Sequence, residues 1–114
     1  MKPSEILREA LVLLRDGDAW TRDSMARDQH ELPTSVLDNS ACKYCMVGAV
    51  MRVARTHEQA TAEQCVWDYM RIAANAPISD SIVRLAVIND KAMSFDTVAT
   101  ILRNAATLAE RAGQ

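Results

Sequence analysis

The stretch Ser40–Arg55, SACKYCMVGAVMRVAR, decides the predicted fold because it has almost no polar face. In a helix, two neighbouring faces would both be apolar, one with Cys42, Cys45, Met46, Ala49, Val50 and Val53, and the other with Tyr44, Val47, Gly48 and Met51. A helix that is apolar nearly all round is usually covered by neighbours on several sides. We therefore expect a central apolar helix over about residues 40–55.

Gly48 stands in the middle of this predicted helix. Glycine costs about 1 kcal/mol relative to alanine in a helix interior, so its presence needs a reason. The interpretation we favour is that another helix approaches its backbone closely. On that interpretation Gly48→Leu is strongly destabilising because it overpacks a tight contact. Cys45→Ala is milder, and Cys42→Ser releases no metal.

Four further helices are predicted around this one, and no strand is expected. The first runs from Pro3 or Ser4 to Asp16 and ends before Gly17. The second begins near His57 or Ala62 and ends at Ala74, since two capping boxes compete for its start. The last two run from Asp80 to about Ile88 and from an N-cap at Ser94 onward. The fold class is thus all-α, a single compact bundle of about five helices over residues 1–114.

The apolar positions of the later helices predict which sides are buried. The helix ending at Ala74 is expected to face inward with Cys65, Tyr69, Ile72 and Ala73. The helix after Asp80 is expected to bury Ile82 and Leu85. The last helix is expected to bury Val98, Ile101, Leu102, Ala105, Leu108 and Ala109, with Met93 stapled onto Val98.

The composition of the chain limits the kinds of partner and compartment that we expect. The formal net charge is −2, which gives no broad attraction to nucleic acid or to an anionic membrane. Ten of the thirteen basic residues are arginine, a weak indication of carboxylate or phosphate recognition. Neither a signal peptide nor a membrane-spanning run is recognised. With three cysteines there is no disulfide framework, so we expect a cytoplasmic protein.

The spacing Cys42-x-x-Cys45 raises the question of a metal or redox site. A closed zinc site needs four ligands, and the other candidates, Cys65, His57 and His30, each stand alone. A redox motif would follow a strand and open a helix, and no strand is predicted there. We therefore interpret both cysteines as core residues of the central helix, and we expect no metal and no cofactor.

Catalysis and DNA binding find little support. Cys45 and His57 are twelve residues apart, about 18 Å along a straight helix, too far for a nucleophile and its base. No phosphate-binding or hydrolase motif is present, so we expect no catalytic residues. A helix-turn-helix ending at Asp90 is a disfavoured alternative, because its second helix offers little besides Arg84 to base edges.

Four polar or aromatic positions remain as candidate interaction or ligand residues besides Cys45. Asn89 and Asp90 are interpreted as a helix end with a local Asx-type turn, the alternative being a polar anchor for a ligand or partner. Trp67 lies off the predicted inner face, so it is either a partly exposed interface anchor or packed beneath a loop. Trp20 follows the first helix.

Several of these positions together form a pattern: a Trp after the first helix, then Ala-x3-Cys-x2-Gly-Ala, then Asn-Asp before a final amphipathic helix. The matching residues are Trp20, Ala41, Cys45, Gly48, Ala49, Asn89 and Asp90. This pattern resembles a family of small bacterial and phage helical proteins to which no activity is assigned. The resemblance implies a helical fold and a phage or mobile-element origin, and it carries over no catalytic residue.

The leading hypothesis is a non-enzymatic interaction or regulatory protein acting on a host protein. The alternative is a small-ligand-binding protein with a pocket near Trp20, Cys45, Asn89 and Asp90. Retention of another protein by the chain would favour the first hypothesis. A concavity shared by those four residues would favour the second.

Overall fold

The computed structural model describes residues 1–77 and 81–114, and within them it contains five α-helices. The helices are α1 (Pro3–Leu13), α2 (Met46–Thr56), α3 (Ala60–Ala73), α4 (Ser81–Lys91) and α5 (Phe95–Arg111). A 3-10 turn over Arg15–Gly17 follows α1, with Gly17 at φ +99°. The expected bundle of about five helices is therefore confirmed.

A two-stranded antiparallel sheet is added to the helices, contrary to the expectation of no strand. It consists of β1 (Ala26–Arg27) and β2 (Lys43–Tyr44), with Ala26 opposite Tyr44. Both strands lie in the connecting segment, residues 18–45, which joins the turn after α1 to α2. Strands of two residues are too short to show an alternating pattern in the sequence.

Helix α2 begins at Met46, so its predicted start near Ser40 is wrong. The amides of Tyr44 and Cys45 are bonded instead to the carbonyls of Ala19, at 2.8 Å, and Met25, at 3.1 Å. These bonds to a distant part of the chain hold residues 43–45 extended. The predicted central position is nevertheless correct, because the first turns of α2 are buried, with Met46, Val47, Ala49 and Val50 each 0% exposed.

The close approach at Gly48 is confirmed, but a helix does not make it. A Cβ added to Gly48 would lie 1.9 Å from the carbonyl oxygen of Met25 and 2.9 Å from its carbonyl carbon. Met25 immediately precedes β1. The absent side chain of Gly48 is therefore what lets the connecting segment lie directly on α2.

Helix α3 buries a different face from the predicted one. Its buried residues are Glu63, Val66, Trp67 and Met70, whereas Ile72 is 52% exposed. Glu63 can face inward because Arg55 pairs with its carboxylate, Nε to Oε1 at 3.2 Å and Nη2 to Oε2 at 3.3 Å. The helix thus carries two apolar stripes, and the sequence pattern selected the outer one.

Helices α4 and α5 follow the prediction more closely. Leu85 is fully buried and Ile82 is half-buried, while the predicted start at Asp80 lies outside the described residues. Helix α4 continues past Ile88 to Lys91. Most of the predicted stripe of α5 is buried, with only Leu108 intermediate. The stapling of Met93 is wrong, since its side chain is 92% exposed.

Three arginines hold the connecting segment by donating to backbone carbonyls. Arg22 donates to the carbonyl of Ala92, at 2.9 Å, and thereby ties the segment to the end of α4. Arg52 of α2 donates to two carbonyls of the segment, at 2.9 and 3.0 Å, and Arg27 to two others, at 2.8 and 3.2 Å. Guanidinium groups satisfy carbonyls that a segment with little regular structure leaves unpaired. Part of the arginine surplus is therefore structural.

Candidate functional site

Asn89, in the last turn of α4, is fully buried and bonds three parts of the chain at once. Its Oδ1 accepts from Trp20 Nε1 at 2.8 Å and from the backbone amide of Met46 at 2.9 Å. Its Nδ2 donates to the carbonyl of Thr21 at 3.1 Å and to Asp90 Oδ1 at 3.2 Å. Two acceptor positions and two donor protons are all that a side-chain amide has. Asn89 is thus fully bonded to protein atoms.

Asp90 extends this cluster toward the surface. Its Oδ1 also accepts from the amide of Asp23, at 2.8 Å, so it binds the connecting segment two residues beyond Thr21. The interpretation of Asn89-Asp90 as a local Asx-type turn is therefore wrong. Both side chains bond residues far away in sequence, and they position the segment rather than a turn.

Trp20 is half-buried between two further groups. Its ring centroid is 5.9 Å from that of Phe95, and the Arg22 guanidinium carbon lies 5.3 Å from it. A cation over an aromatic face is attracted by the ring quadrupole. The indole is thus held at its Nε1 by the hydrogen bond to Asn89 and at its ring by Phe95 and Arg22.

Cys45 is the N-cap of α2 and is 2% exposed. Its sulfur accepts from the Gly48 amide at 3.2 Å, and the thiol lies 3.5 Å from the Met25 sulfur, to which it donates. Burial raises the pKa of the Cys45 thiol above its ordinary value, because desolvation disfavours the thiolate. A protonated buried thiol is a poor nucleophile at neutral pH.

Cys42 and Cys45 do not form one site. Cys42 is exposed in the strand segment, which corrects its predicted place in the core, whereas Cys45 is buried. His30 and His57 are both exposed as well. Within residues 1–77 and 81–114, no three His, Cys, Asp or Glu side chains are grouped so that they could hold a metal ion.

These environments predict a large difference in thiol reactivity. In the native protein at neutral pH, a small electrophile such as iodoacetamide should modify Cys42 rapidly and Cys45 at least tenfold more slowly, since Cys45 is buried and its pKa is raised. Mass spectrometry of a Cys65→Ser variant measures both rates. In denaturant the two rates should converge. Equal rates in the native state would contradict the N-cap position of Cys45.

Trp67 lies in the core, and the expectation of partial exposure is wrong. Its side chain is 3% exposed, and its Nε1 has no hydrogen-bond partner among the described residues. A buried indole cannot anchor a partner at the surface. Of the two interpretations left open by the sequence, the structure favours packing.

A groove between α3 and α5 is the surface feature that the sequence did not single out. One cleft, of about 500 Å³, is lined by Ala73, Ala74, Ile88, Asp96, Thr97, Thr100 and Ile101. A second cleft, of about 320 Å³, is lined by Ala73, Asn104, Thr107, Leu108 and Arg111. Ala73 lines both clefts, and we refer to the two together as the α3/α5 groove. The only sequence signal for it was the second apolar stripe of α3.

The four candidate residues near α2 lie close together, but this cluster and the groove differ in how many polar atoms are free to bind a ligand or partner. Trp20 and Asp90 each bond Asn89, which also bonds the amide of Met46, and Cys45 precedes Met46 as the N-cap of α2. The side-chain amide of Asn89 at the centre of this cluster is fully bonded to the protein itself, whereas the groove lies open to solvent with Asp96, Thr100 and Asn104 exposed. The groove is the better candidate for a binding site.

Comparison with protein families finds one family, to which no activity is assigned. A family model described as a family of unknown function, DUF6197, matches residues 1–111. Neither the curated proteins nor the solved structures contain a match to this chain. In the described residues, no helix combines the length and apolar character needed to cross a membrane. The match covers nearly the whole sequence, and the chain therefore belongs to the family of unknown function DUF6197.

Proposed function

We propose that the protein is a non-enzymatic interaction protein and that the α3/α5 groove is its binding surface. The observation that carries this proposal is the outer stripe of α3, formed by Cys65, Tyr69, Ile72 and Ala73. These residues follow the i, i+4, i+7, i+8 spacing of one helix face, and none of them is buried. Ile72 is exposed and the other three are half-buried, so the chain covers this apolar stripe only in part, as is common at an interaction surface.

Ile72 is the most exposed member of the stripe, at 52%. It lies beside Ala73, which lines both clefts of the groove. Burying such a side chain against a partner contributes about 25 cal/mol for each Å² of apolar surface removed from water. Ile72 lines neither cleft itself, so it is placed to contact a partner at the edge of the groove.

The dimensions of the groove suit a helix. Its α5 wall runs from Asp96 to Arg111, fifteen steps along the helix, which at 1.5 Å per step is about 22 Å. That length corresponds to about four helical turns. Small side chains such as Ala73 and Thr100 let another backbone approach closely, as in helix-in-groove recognition.

The small-ligand alternative receives less support. It requires free polar atoms near Trp20, Cys45, Asn89 and Asp90, but both donor protons and both acceptor positions of Asn89 are already bonded. A ligand would have to displace bonds that hold the connecting segment. The cluster is better explained as a structural anchor.

The proposal extends to origin and compartment. The resemblance to small bacterial and phage proteins supports a phage or mobile-element protein that acts on a host protein. Three free thiols accord with a reducing compartment, which supports the cytoplasm.

The experiment compares capture by two matched variants. Tagged wild-type protein, Ile72→Glu and Val12→Glu are incubated with host lysate, and each retained protein, including untagged copies of the chain, is quantified by mass spectrometry. Val12 is 75% exposed on α1, whereas Ile72 is the neighbour of Ala73, which lines both clefts, so Val12→Glu is the control. We expect Ile72→Glu to reduce retention at least tenfold, because a charge desolvated in an apolar contact is costly, and Val12→Glu to leave it unchanged.

Two outcomes would overturn the proposal. Equal retention by all three baits would remove the groove as the binding surface. Retention of a metabolite or nucleotide and of no protein would favour the small-ligand alternative. Thermal melts of both variants check that the introduced glutamate has not unfolded the bait.

A further inference from the structure

We infer that Trp20 and Arg22 are positioning residues for the α3/α5 groove, because they hold the corner between α4 and α5 that forms part of the wall of its larger cleft. This inference rests on the proposed function and concerns the regulation of the same surface. The α4/α5 corner is residues 88–97, which comprise the last turn of α4, the turn that follows and the first turn of α5.

One side of the α4/α5 corner lines the larger cleft. Three of the seven residues that line this cleft of about 500 Å³ belong to the corner, namely Ile88, Asp96 and Thr97. Ile88 is part of α4, whereas Asp96 and Thr97 are part of α5. The shape of the cleft therefore depends on how the two helices are held relative to each other at the corner.

The other side of the corner contacts the Trp20 side chain at two points. Asn89 follows Ile88 in the chain, and its Oδ1 accepts from Trp20 Nε1 at 2.8 Å. Phe95 precedes Asp96, and its ring centroid lies 5.9 Å from that of Trp20. One indole thus contacts α4 and α5 at once, in each case through the immediate neighbour of a residue that lines the cleft.

Arg22 holds the turn between the two helices. Its Nη1 donates to the carbonyl of Ala92 at 2.9 Å, and its guanidinium carbon lies 5.3 Å from the centroid of the indole ring. Asp23 adds a bond from its amide to Asp90 Oδ1, at 2.8 Å. The connecting segment is therefore attached along the whole corner, from the last turn of α4 to the first turn of α5.

These attachments link the segment to binding in the groove. A partner in the larger cleft contacts both helices of the corner, so it binds most tightly when Ile88 and Thr97 keep their relative positions. A corner released from Arg22 has to be ordered when the partner binds, and that ordering lowers the affinity. Because such coupling is reciprocal, a bound partner would also stabilise the docked connecting segment.

The first test compares two arginines that hold the connecting segment at different places. Arg22→Ala removes the bond to the corner, whereas Arg52→Ala removes two bonds, at 2.9 and 3.0 Å, to carbonyls outside the corner. Hydrogen exchange of residues 88–97, measured by mass spectrometry without a partner, should be about threefold or more faster in Arg22→Ala and unchanged in Arg52→Ala. Arg22→Lys keeps a donor for the carbonyl and should exchange like the wild type.

The second test uses capture from host lysate, a readout that a purely structural role would not move. Arg22→Ala should retain about threefold or more less partner than the wild type, although Arg22 lines neither cleft. Arg52→Ala should retain as much as the wild type, and Arg22→Lys should restore retention. Arg22 is exposed, so its removal leaves the core intact, and thermal melts of all three variants check this.

Three results overturn the inference. They are unchanged exchange of residues 88–97 in Arg22→Ala, capture by Arg22→Ala equal to that by the wild type, and an equal loss of capture in Arg52→Ala. If Ile72→Glu reduces capture and Arg22→Ala does not, the groove stands as the binding surface and only the positioning role is wrong. If Ile72→Glu leaves capture unchanged, or the wild type retains no protein, the proposed function fails and the positioning role fails with it.

Discussion

Replacing Gly48 with alanine is expected to lower the free energy of unfolding by about 3 kcal/mol, at the upper end of the usual cost of overpacking. The added Cβ would lie 1.9 Å from the Met25 carbonyl oxygen, a backbone atom that no side-chain rotation can move. At an ordinary helix position the same change would stabilise the protein by about 1 kcal/mol. The sign of the effect, measured by chemical denaturation, therefore tests the contact directly.

Two companion variants make the Gly48 experiment specific. Cys45→Ala removes the sulfur that caps the Gly48 amide and should cost only about 1 kcal/mol, as loss of a helix cap usually does. Met25→Ala should not rescue Gly48→Ala, because the clash involves the main chain of Met25. A Gly48→Ala protein as stable as the wild type would show that the connecting segment does not lie on α2.

Asn89→Ala is expected to destabilise the protein by about 4 kcal/mol. It removes the side-chain partner of three groups at once: the indole N–H of Trp20, the backbone amide of Met46 and the carbonyl of Thr21. Each buried polar group left without a partner costs about 1–3 kcal/mol. Asn39→Ala, at an exposed position, is the control and should change stability by less than about 0.5 kcal/mol.

Asn89→Asp separates the loss of donors from the loss of the acceptor. The new carboxyl keeps an oxygen for Trp20 and Met46 but loses the donor to Thr21, and it lies beside Asp90. Burial and the like charge raise its folded pKa above the unfolded value of about 3.9. Its folded form then binds the proton more strongly, so the stability deficit against wild type is largest at neutral pH and shrinks as the pH falls. A deficit independent of pH would contradict this account.

The sequence predicted α5 well because only one of its faces is apolar. Helix α3 shows the limit of that reasoning: Cys65, Tyr69 and Ile72 follow the helical period as well as Val66, Trp67 and Met70 do. The choice between the two stripes depends on the neighbours of α3, and on Arg55, which allows Glu63 to be buried. Periodicity finds apolar stripes, but it does not say which stripe the rest of the chain covers.

The cluster around Asn89 was partly predictable for a related reason. The helical period continues from α2 back to Cys42, but the backbone leaves the helix at Cys45 because Ala19 and Met25 supply the carbonyls. Such long-range bonds have no signature in the local sequence. The same holds for Asn89 and Asp90, whose importance the sequence indicated while their partners stayed hidden.

The position of Asn89 in the chain has a consequence for the order in which the protein folds. Its side chain bonds Trp20, 69 residues earlier, and the Met46 amide, 43 residues earlier. On the ribosome, which releases the chain from its N-terminus, the connecting segment therefore emerges long before the residue that anchors it. Until α4 has been synthesised and docked, the Trp20 indole and the first amide of α2 lack their native partner. The last third of the chain thus completes the structure of the first, so cotranslational folding of this protein finishes late.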